Sequence, residues 1–370
     1  RPFFYGNQYF LFVTETFKDV RLVGAPPSAI GKYGADTDNW MWPRHTGDFS
    51  MFRIYAGADN KPAEISDSNV PYKPRHHLPI NMNGVKQVDF SMVYGFPGST
   101  QEFLISDEVE FITGQLNPTR IAMRDKSLDI INATMMESDA LRITYAAKQA
   151  RIANAWKKWI GENNGLKRLN ALEKKRSLEA EFEKRAESKK EWNDKYAGIV
   201  IKLKSVIMQQ NPYTMARSGL IEFGYYGPEF IRMAQGYTEL VENYEEWDDA
   251  KRNETIAQLK KNAEGFFANC HIPADQKLLA NLAGPYFLSL DPSVRPDIYT
   301  TIQAKYKGNW TQYAADVFAK SYFTDEARCM AMLDKFSAGT AKKIKKDPGY
   351  LLATDVIDAW RNKAAGPYTE

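Results

Sequence analysis

The densest concentration of reactive side chains in these 370 residues is GADTDNWMWPRHTGDFSMFRIYAG, residues 34–57. Three aspartates (Asp36, Asp38, Asp48), Asn39, Trp40, Trp42, Arg44 and His45 precede a single strand-like run. A loop this rich in functional groups, set on a rigid scaffold, is where sites are commonly built. Loop aspartates also satisfy backbone amides of their own segment, so a purely structural loop is an equal reading of the composition. Three chemistries could use the segment. A metal could recruit His45 and Asp48 with His76 or His77, but the spacing matches no zinc signature, and adjacent histidines on a strand point to opposite faces. A local serine triad would need Ser99 in GFPGST, which lacks the Gly-x-Ser-x-Gly elbow and follows a Pro-Gly turn. In the third, Asp48 is the aspartate of a Ser-His-Asp triad whose other members lie outside the chain.

The elements that must position these groups change character along the chain. Residues 1 to about 103 read as β. QYFLFVTETF is dense in aromatic and β-branched residues, KDVRLVGAPP runs into a Gly/Pro stop, and SMFRIYAG alternates as a half-buried strand does. KQVDFSMVYGFPG is a further apolar run closed by a tight-turn signature, and EFLISDEVEFITG repeats the pattern at the boundary. Short strands at close spacing predict an antiparallel barrel or sandwich. After about Gln115 the period becomes helical. Asn117-Pro118 reads as an N-cap with proline at the first helical position, and Ser138 as the cap of the next helix. That helix carries the stripe Tyr145, Ile152, Trp156, Trp159, Ile160. The Glu/Lys-rich stretch from Gly165 to Gln210 predicts one or two long helices standing partly in solvent. Asn211-Pro212, Gly227-Pro228, Ile272-Pro273, Asp291-Pro292 and Asp347-Pro348 punctuate the remaining helical stretches.

Composition removes several function classes. A net charge of +3, from 49 basic and 46 acidic residues interspersed, does not describe a nucleic-acid binder. No apolar run reaches the ~18 residues of a membrane span. Cys270 and Cys329 make neither a CxxC pair nor a disulfide framework, and whether they pair is left open. The 20 Tyr, 20 Phe and 8 Trp suit large cores first and clefts second. The chain opens at Arg1 without an initiator Met or a signal-peptide plan, and is expected to be the central part of a longer protein.

The run GADTDNWMWPRHTGDFSMFRIYAG, with RLVGAPPSAIGKYG before it and YGFPGST after it, resembles the signature of the bacterial dipeptidyl peptidases of serine-peptidase family forty-six. The likeness is continuous from Arg1 to about Gly114, and RIANAWKKWIGE fits the family's inserted helical domain. The resemblance implies an α+β chain: residues 1–103 as part of a chymotrypsin-like double β-barrel, and 104–370 as a large all-helical cap, incomplete at its C-terminal end. It implies that Asp48 in HTGDF is the triad aspartate. Asn39 and Trp40 in DNW and Asn154 in RIANAW would hold the substrate's N-terminal amine. By helical spacing Asn154 lies with Ala147, Ala150, Arg151, Lys157 and Lys158, away from the Tyr145-Ile152-Trp156 stripe.

None of His45, His76, His77 or His271 sits in the family's catalytic-histidine context, so the histidine is expected upstream of Arg1 and the serine downstream of Glu370. The chain by itself is then expected to be inert, while the full-length enzyme would release dipeptides from free peptide N-termini. Further expectations are no cofactor, no metal, no nucleic acid, and peptide substrates with a free N-terminus. A periplasmic, cell-surface or secreted location follows from the same resemblance, which also leaves room for a homodimer of the full-length enzyme. The residue deciding acidic or hydrophobic specificity is expected outside the chain. The competing reading is a non-catalytic helical interaction module with a β appendage, favoured by the charged helix around Lys167 to Lys190.

Overall fold

Apolar alternation becomes a strand only where a second strand lies beside it, and in the first hundred residues that condition is met in few places. A computed structural model of the protein describes residues 2–3, 6–41, 43–92 and 101–369. The chain divides into two units, Arg1–Thr100 and Gln101–Glu370. In the first, β1 (Pro2–Phe3) pairs antiparallel with β2 (Gln8–Tyr9). β3 (Asp19–Gly24) leads through the short helices α1 (Ser28–Gly31) and α2 (Ala35–Asp38) to β4 (Met51–Ala56), which returns antiparallel to β3. Val20 faces Ile54 and Arg21 faces Arg53, with a register shift between Leu22 and Gly24. β5 (Val70–Pro71) adds to the other edge of β4.

The strands expected over 10–17 and 86–92 are not formed; those residues are extended or turning. Their side chains show why: Leu11, Val13, Val88 and Phe90 are all more than four-fifths exposed, with no sheet for them to cover. Among the described residues of this unit only Asp19 and Ala56 are buried. Asp19 is held by a two-pronged contact from Arg21 (2.9 and 2.8 Å) and by the Asn69 amide (2.9 Å), which keep its carboxyl well below the usual carboxylate range.

The second unit is helical throughout. It runs α3 (Ser106–Phe111), α4 (Asn117–Met135), α5 (Asp139–Arg168), α6 (Ala171–Glu187), α7 (Lys190–Tyr196) and α8 (Ile199–Gly219). It continues with α9 (Glu229–Gln235), α10 (Thr238–Asn243), α11 (Asp249–Asn269), α12 (Ile272–Ser289), α13 (Ile298–Tyr306) and α14 (Trp310–Lys320). α15 (Glu326–Asp334), α16 (Ala338–Ile344), α17 (Pro348–Ala359) and α18 (Ala365–Thr369) close it. The main core joins α8, α9, α12, α14 and α17 through Ala216, Phe230, Leu278, Leu282, Phe287, Val317 and Val356, with Phe223 from the turn after α8. A smaller core forms where Tyr145 and Ile152 of α5 meet Leu128 and Ile131 of α4, with Trp156 against it, as the stripe in α5 predicts. Only Ala186 of α6 is buried, in keeping with helices standing partly in solvent.

Three readings are corrected here. EFLISDEVEFITG, expected as a strand, is helical from Ser106, because Ile105, Val109, Ile112 and Leu116 recur at steps of four, three and four. Phe111 and Leu116 from this turn pack on Met215 of α8. Asn117 is not the N-cap of a fresh helix. The run passes from α3 through a π-helical turn, Ile112–Leu116, straight into α4, and that wider turn accommodates Pro118, which lacks the N–H an α-helix would require. Asn117 is buried instead, donating to Glu162 Oε2 and Asn163 Oδ1 of α5 at 3.0 Å each. Asn211-Pro212 lies inside α8 and does not break it. By contrast Ser138 does cap α5, accepting from the Leu141 N–H at 3.2 Å, and Asp347 caps α17.

The orientation of α5 is fixed by one buried cation. Arg124 of α4 grips Glu222 with Nε–H to Oε2 at 2.7 Å and Nη2 to Oε1 at 2.9 Å, and its Nη1 donates to the Ile152 carbonyl at 2.9 Å. The guanidinium lies between the rings of Trp159 (4.6 Å) and Tyr226 (4.8 Å).

Candidate functional site

The loop between β3 and β4 carries most of the sequence-derived candidates, and Asp38 organises it. Its Oδ2 accepts the His45 N–H at 3.1 Å and lies 3.4 Å from the Thr46 hydroxyl. That hydroxyl donates to the Tyr33 carbonyl at 2.6 Å, and the Gly47 N–H donates to the Ile30 carbonyl at 3.0 Å. Gly34, at φ +78°, admits the Asp38 side chain so closely that a Cβ would collide with the carboxyl. The segment after α2 is thereby folded back onto α1 and α2. The aspartate-to-amide reading of this loop therefore holds for Asp38.

Asn39 ends α2 and is half-buried, with Arg44 Nη2 3.3 Å from its Oδ1 and 3.4 Å from the Asp38 carbonyl. Trp40 follows with φ +58°, a left-handed backbone that a bulky residue adopts only where the surroundings impose it, and its side chain is largely exposed. Asp48 is exposed and lies three residues before β4 begins. One braced loop thus delivers Asn39, Trp40 and Asp48 together. Asn154 belongs to the helical unit. It is exposed on α5, on the face away from the buried Tyr145 and Ile152, as its spacing predicts.

The alternative chemistries fare differently. His45 stands edge-on to Tyr33, with ring centroids 6.4 Å apart. His76 and His77 lie outside any strand, with their rings stacked at 6.3 Å. Ser99 lies outside the described residues. Cys270 and Cys329 are both free and buried.

Sequence reasoning missed one buried polar cluster. Ligand atoms of Glu229, Cys270 and Asp275 lie within 4.8 Å of one another. Both Asp275 oxygens are already engaged as the cap of α9, accepting from Glu229 N (2.5 Å) and Phe230 N (3.0 Å), while Glu229 pairs with Lys148 at 2.8 Å. Burial pushes the Asp275 carboxyl up to about 7 and raises the Cys270 thiol far above its ordinary value, so the thiol stays protonated. The arrangement is a capping lock between α5, α9 and α12. Its members come from three separated stretches, with no local motif to announce them.

Comparison with known proteins now bears on the loop. The Peptidase S46 family matches residues 1–367. The chain belongs to this family. It is 38% identical over 370 residues, all of this chain, to the Asp/Glu-specific dipeptidyl-peptidase of Flavobacterium psychrophilum. It is 39% identical over 368 residues, 97% of this chain, to dipeptidyl-peptidase 7 of Porphyromonas gingivalis. These alignments cover 51% and 49% of the two relatives, so the chain spans about half their length. Among solved structures it is similar to Porphyromonas endodontalis DPP11 in complex with the dipeptide Arg-Asp, with a TM-score of 0.76 and 30% identity. That match covers 95% of this chain and 50% of that one. Among the described residues no helix is long and apolar enough to cross a membrane.

Proposed function

We propose that this S46 chain is the central part of a serine dipeptidyl peptidase that releases dipeptides from the free N-terminus of peptides. The observation that carries the reading is that one loop, braced by Asp38, presents Asn39, Trp40 and Asp48 together. Asp48 is the triad aspartate. It accepts a hydrogen bond from the catalytic imidazole, fixes its tautomer and stabilises the imidazolium as the serine attacks. Histidine and serine come from the part of the relatives' length that this chain does not span. Asn39, Trp40 and Asn154 hold the substrate's ammonium by hydrogen bonding, and a site built this way rejects peptides whose amine is blocked, because its acceptors are then left unpaired.

The first unit is part of a double β-barrel, and the helical unit is the cap domain inserted in it. The exposed Leu11, Val13, Ile80, Met82, Val88 and Phe90 support the barrel reading, since extended segments so apolar need neighbouring strands to cover them. A periplasmic or cell-surface location and a homodimer of the full-length enzyme complete the reading.

The test is Asp48→Asn in the full-length enzyme. Turnover of a dipeptidyl-methylcoumarin substrate should fall by about 10⁴-fold, the loss that follows the same change in a chymotrypsin-type triad, with the melting temperature unchanged. The 370 residues alone should show no hydrolysis. Near-normal turnover in the variant removes Asp48 from the triad.

A further inference from the structure

A polar cavity of about 260 Å³ opens where α4, α5 and α8 meet, within the helical unit alone. Charged residues of both signs line it: Arg120, Lys158 and Arg217 on one side of the ledger, Glu108 and Glu162 on the other. Oppositely charged side chains gathered in one pocket ordinarily pair with each other, yet no ion pair joins any of these five among the described residues. Arg120 donates Nε–H to Ser218 Oγ at 2.8 Å and lies over the Trp159 ring at 5.0 Å, which leaves its two terminal amino groups without an acceptor among the described residues. Arg217 lies against the Tyr368 ring at 5.5 Å. Glu162 accepts from the Asn117 amide at 3.0 Å.

Burial draws Arg120 below its usual value, with Glu222 and Glu162 acting against the shift and Arg124 and Arg217 adding to it, and burial raises the Glu108 carboxyl. An anion would relieve the guanidinium and an ammonium would relieve the carboxylates. We propose that this cavity binds a small zwitterion, an amino acid or a dipeptide, with the ligand carboxylate on the Arg120 fork beside Lys158 and Arg217, and its ammonium on Glu162 and Glu108. A planar guanidinium with two free N–H groups matches a carboxylate at two points, and the cavity volume accommodates a molecule of that size.

The site lies close in sequence to the amine-binding candidate. Asn154, Lys158 and Glu162 succeed one another at one-turn steps along α5, so the experiment must separate the two. Isothermal titration of the 370-residue chain would use glycylglycine, its N-acetylated form, its C-terminal amide, and inorganic phosphate. Glycylglycine should bind, and each of the three others should bind at least about tenfold more weakly, the loss expected when one charge-assisted contact is removed. Glu162→Gln should weaken glycylglycine while leaving the N-acetylated form unchanged, whereas Arg120→Met should weaken both. Lys158→Met, on the solvent side of the cavity, provides a second variant on the carboxylate half should Arg120→Met unfold. The double variant Asn39→Ala/Asn154→Ala should keep the heat signal. No heat with glycylglycine, equal binding of the acetylated form, or loss of the signal in that double variant overturns the proposal. The Asp48→Asn result above is unaffected by any of these outcomes.

Discussion

Removing the carboxylate of Glu222 should unfold the helical unit more readily than any surface change of the same size. Arg124 and Glu222 are each about 4% exposed or less, and they meet through two contacts of 2.7 and 2.9 Å. Taking away one partner leaves a charge in a place water does not reach, which costs about 3–5 kcal/mol. The two lost contacts, at roughly 1.5–3 kcal/mol each for a charged group, give the same range independently. Arg124 keeps the Ile152 carbonyl and the Trp159 and Tyr226 faces, which sets Glu222→Ala near the lower end, about 3 kcal/mol. With a urea slope of about 3 kcal/mol/M for a unit of this size, the midpoint should fall by about 1 M. The measurement is urea unfolding followed by the helical far-ultraviolet signal, because strands contribute little to it here. Glu222→Gln keeps one acceptor and should lose about half as much. Arg124→Met with Glu222→Leu removes both charges and should recover most of the loss. A midpoint shift below about 0.3 M in Glu222→Ala, or a double variant as weak as the single one, would mean that the pair does not hold α4 against the segment after α8.

Three other outcomes follow from the same structure. Asp275 is fully buried, with a carboxyl raised from 3.8 to about 7, so between those values the folded chain holds a proton that the unfolded chain has released. Stability should therefore fall as pH rises from about 4 to 7 and level off above, by on the order of 4 kcal/mol for the three-unit shift; Asp275→Asn should flatten the dependence seen in thermal melts across that window. Asn154→Ala in the full-length enzyme should lower kcat/KM for free dipeptide substrates by about 10- to 100-fold, the equivalent of roughly 1–3 kcal/mol, and lower it far less for N-acetylated peptides; an unchanged ratio of the two constants would make Asn154 a surface residue. Asp38→Ala frees the His45 amide and loosens the segment that carries Asp48, so turnover should fall with little change in the stability of the helical unit; full activity would mean that the loop needs no brace.

What the sequence made legible depended on how locally each feature is encoded. The candidate loop was visible because its reactive residues are contiguous and sit between two strands whose alternation is clear; β3 and β4 formed where KDVRLVG and SMFRIYAG placed them. Ser138 announced its helix because a cap acts on amides two or three residues away, and Asp347, read only as a break between helices, caps α17 in the same way. Strands at 10–17 and 86–92 failed for the opposite reason. Their composition is right for a sheet, but a strand is completed by a neighbour, and composition carries no information on whether that neighbour is present. Residues 105–116 show a further limit. The same apolar positions fit alternation loosely and a helical period closely, and packing on Met215, a hundred residues away, favours the helix. Arg124 and Glu222, or Arg120 and Glu162, are ordinary charged residues until three helices converge on them. Of that whole cavity, only the one-turn spacing of Lys158 and Glu162 on α5 could have been read in advance. A functional helix face is therefore best sought in the polar stripe opposite a strong apolar one, where charged residues repeat at one-turn steps without supplying each other's partners.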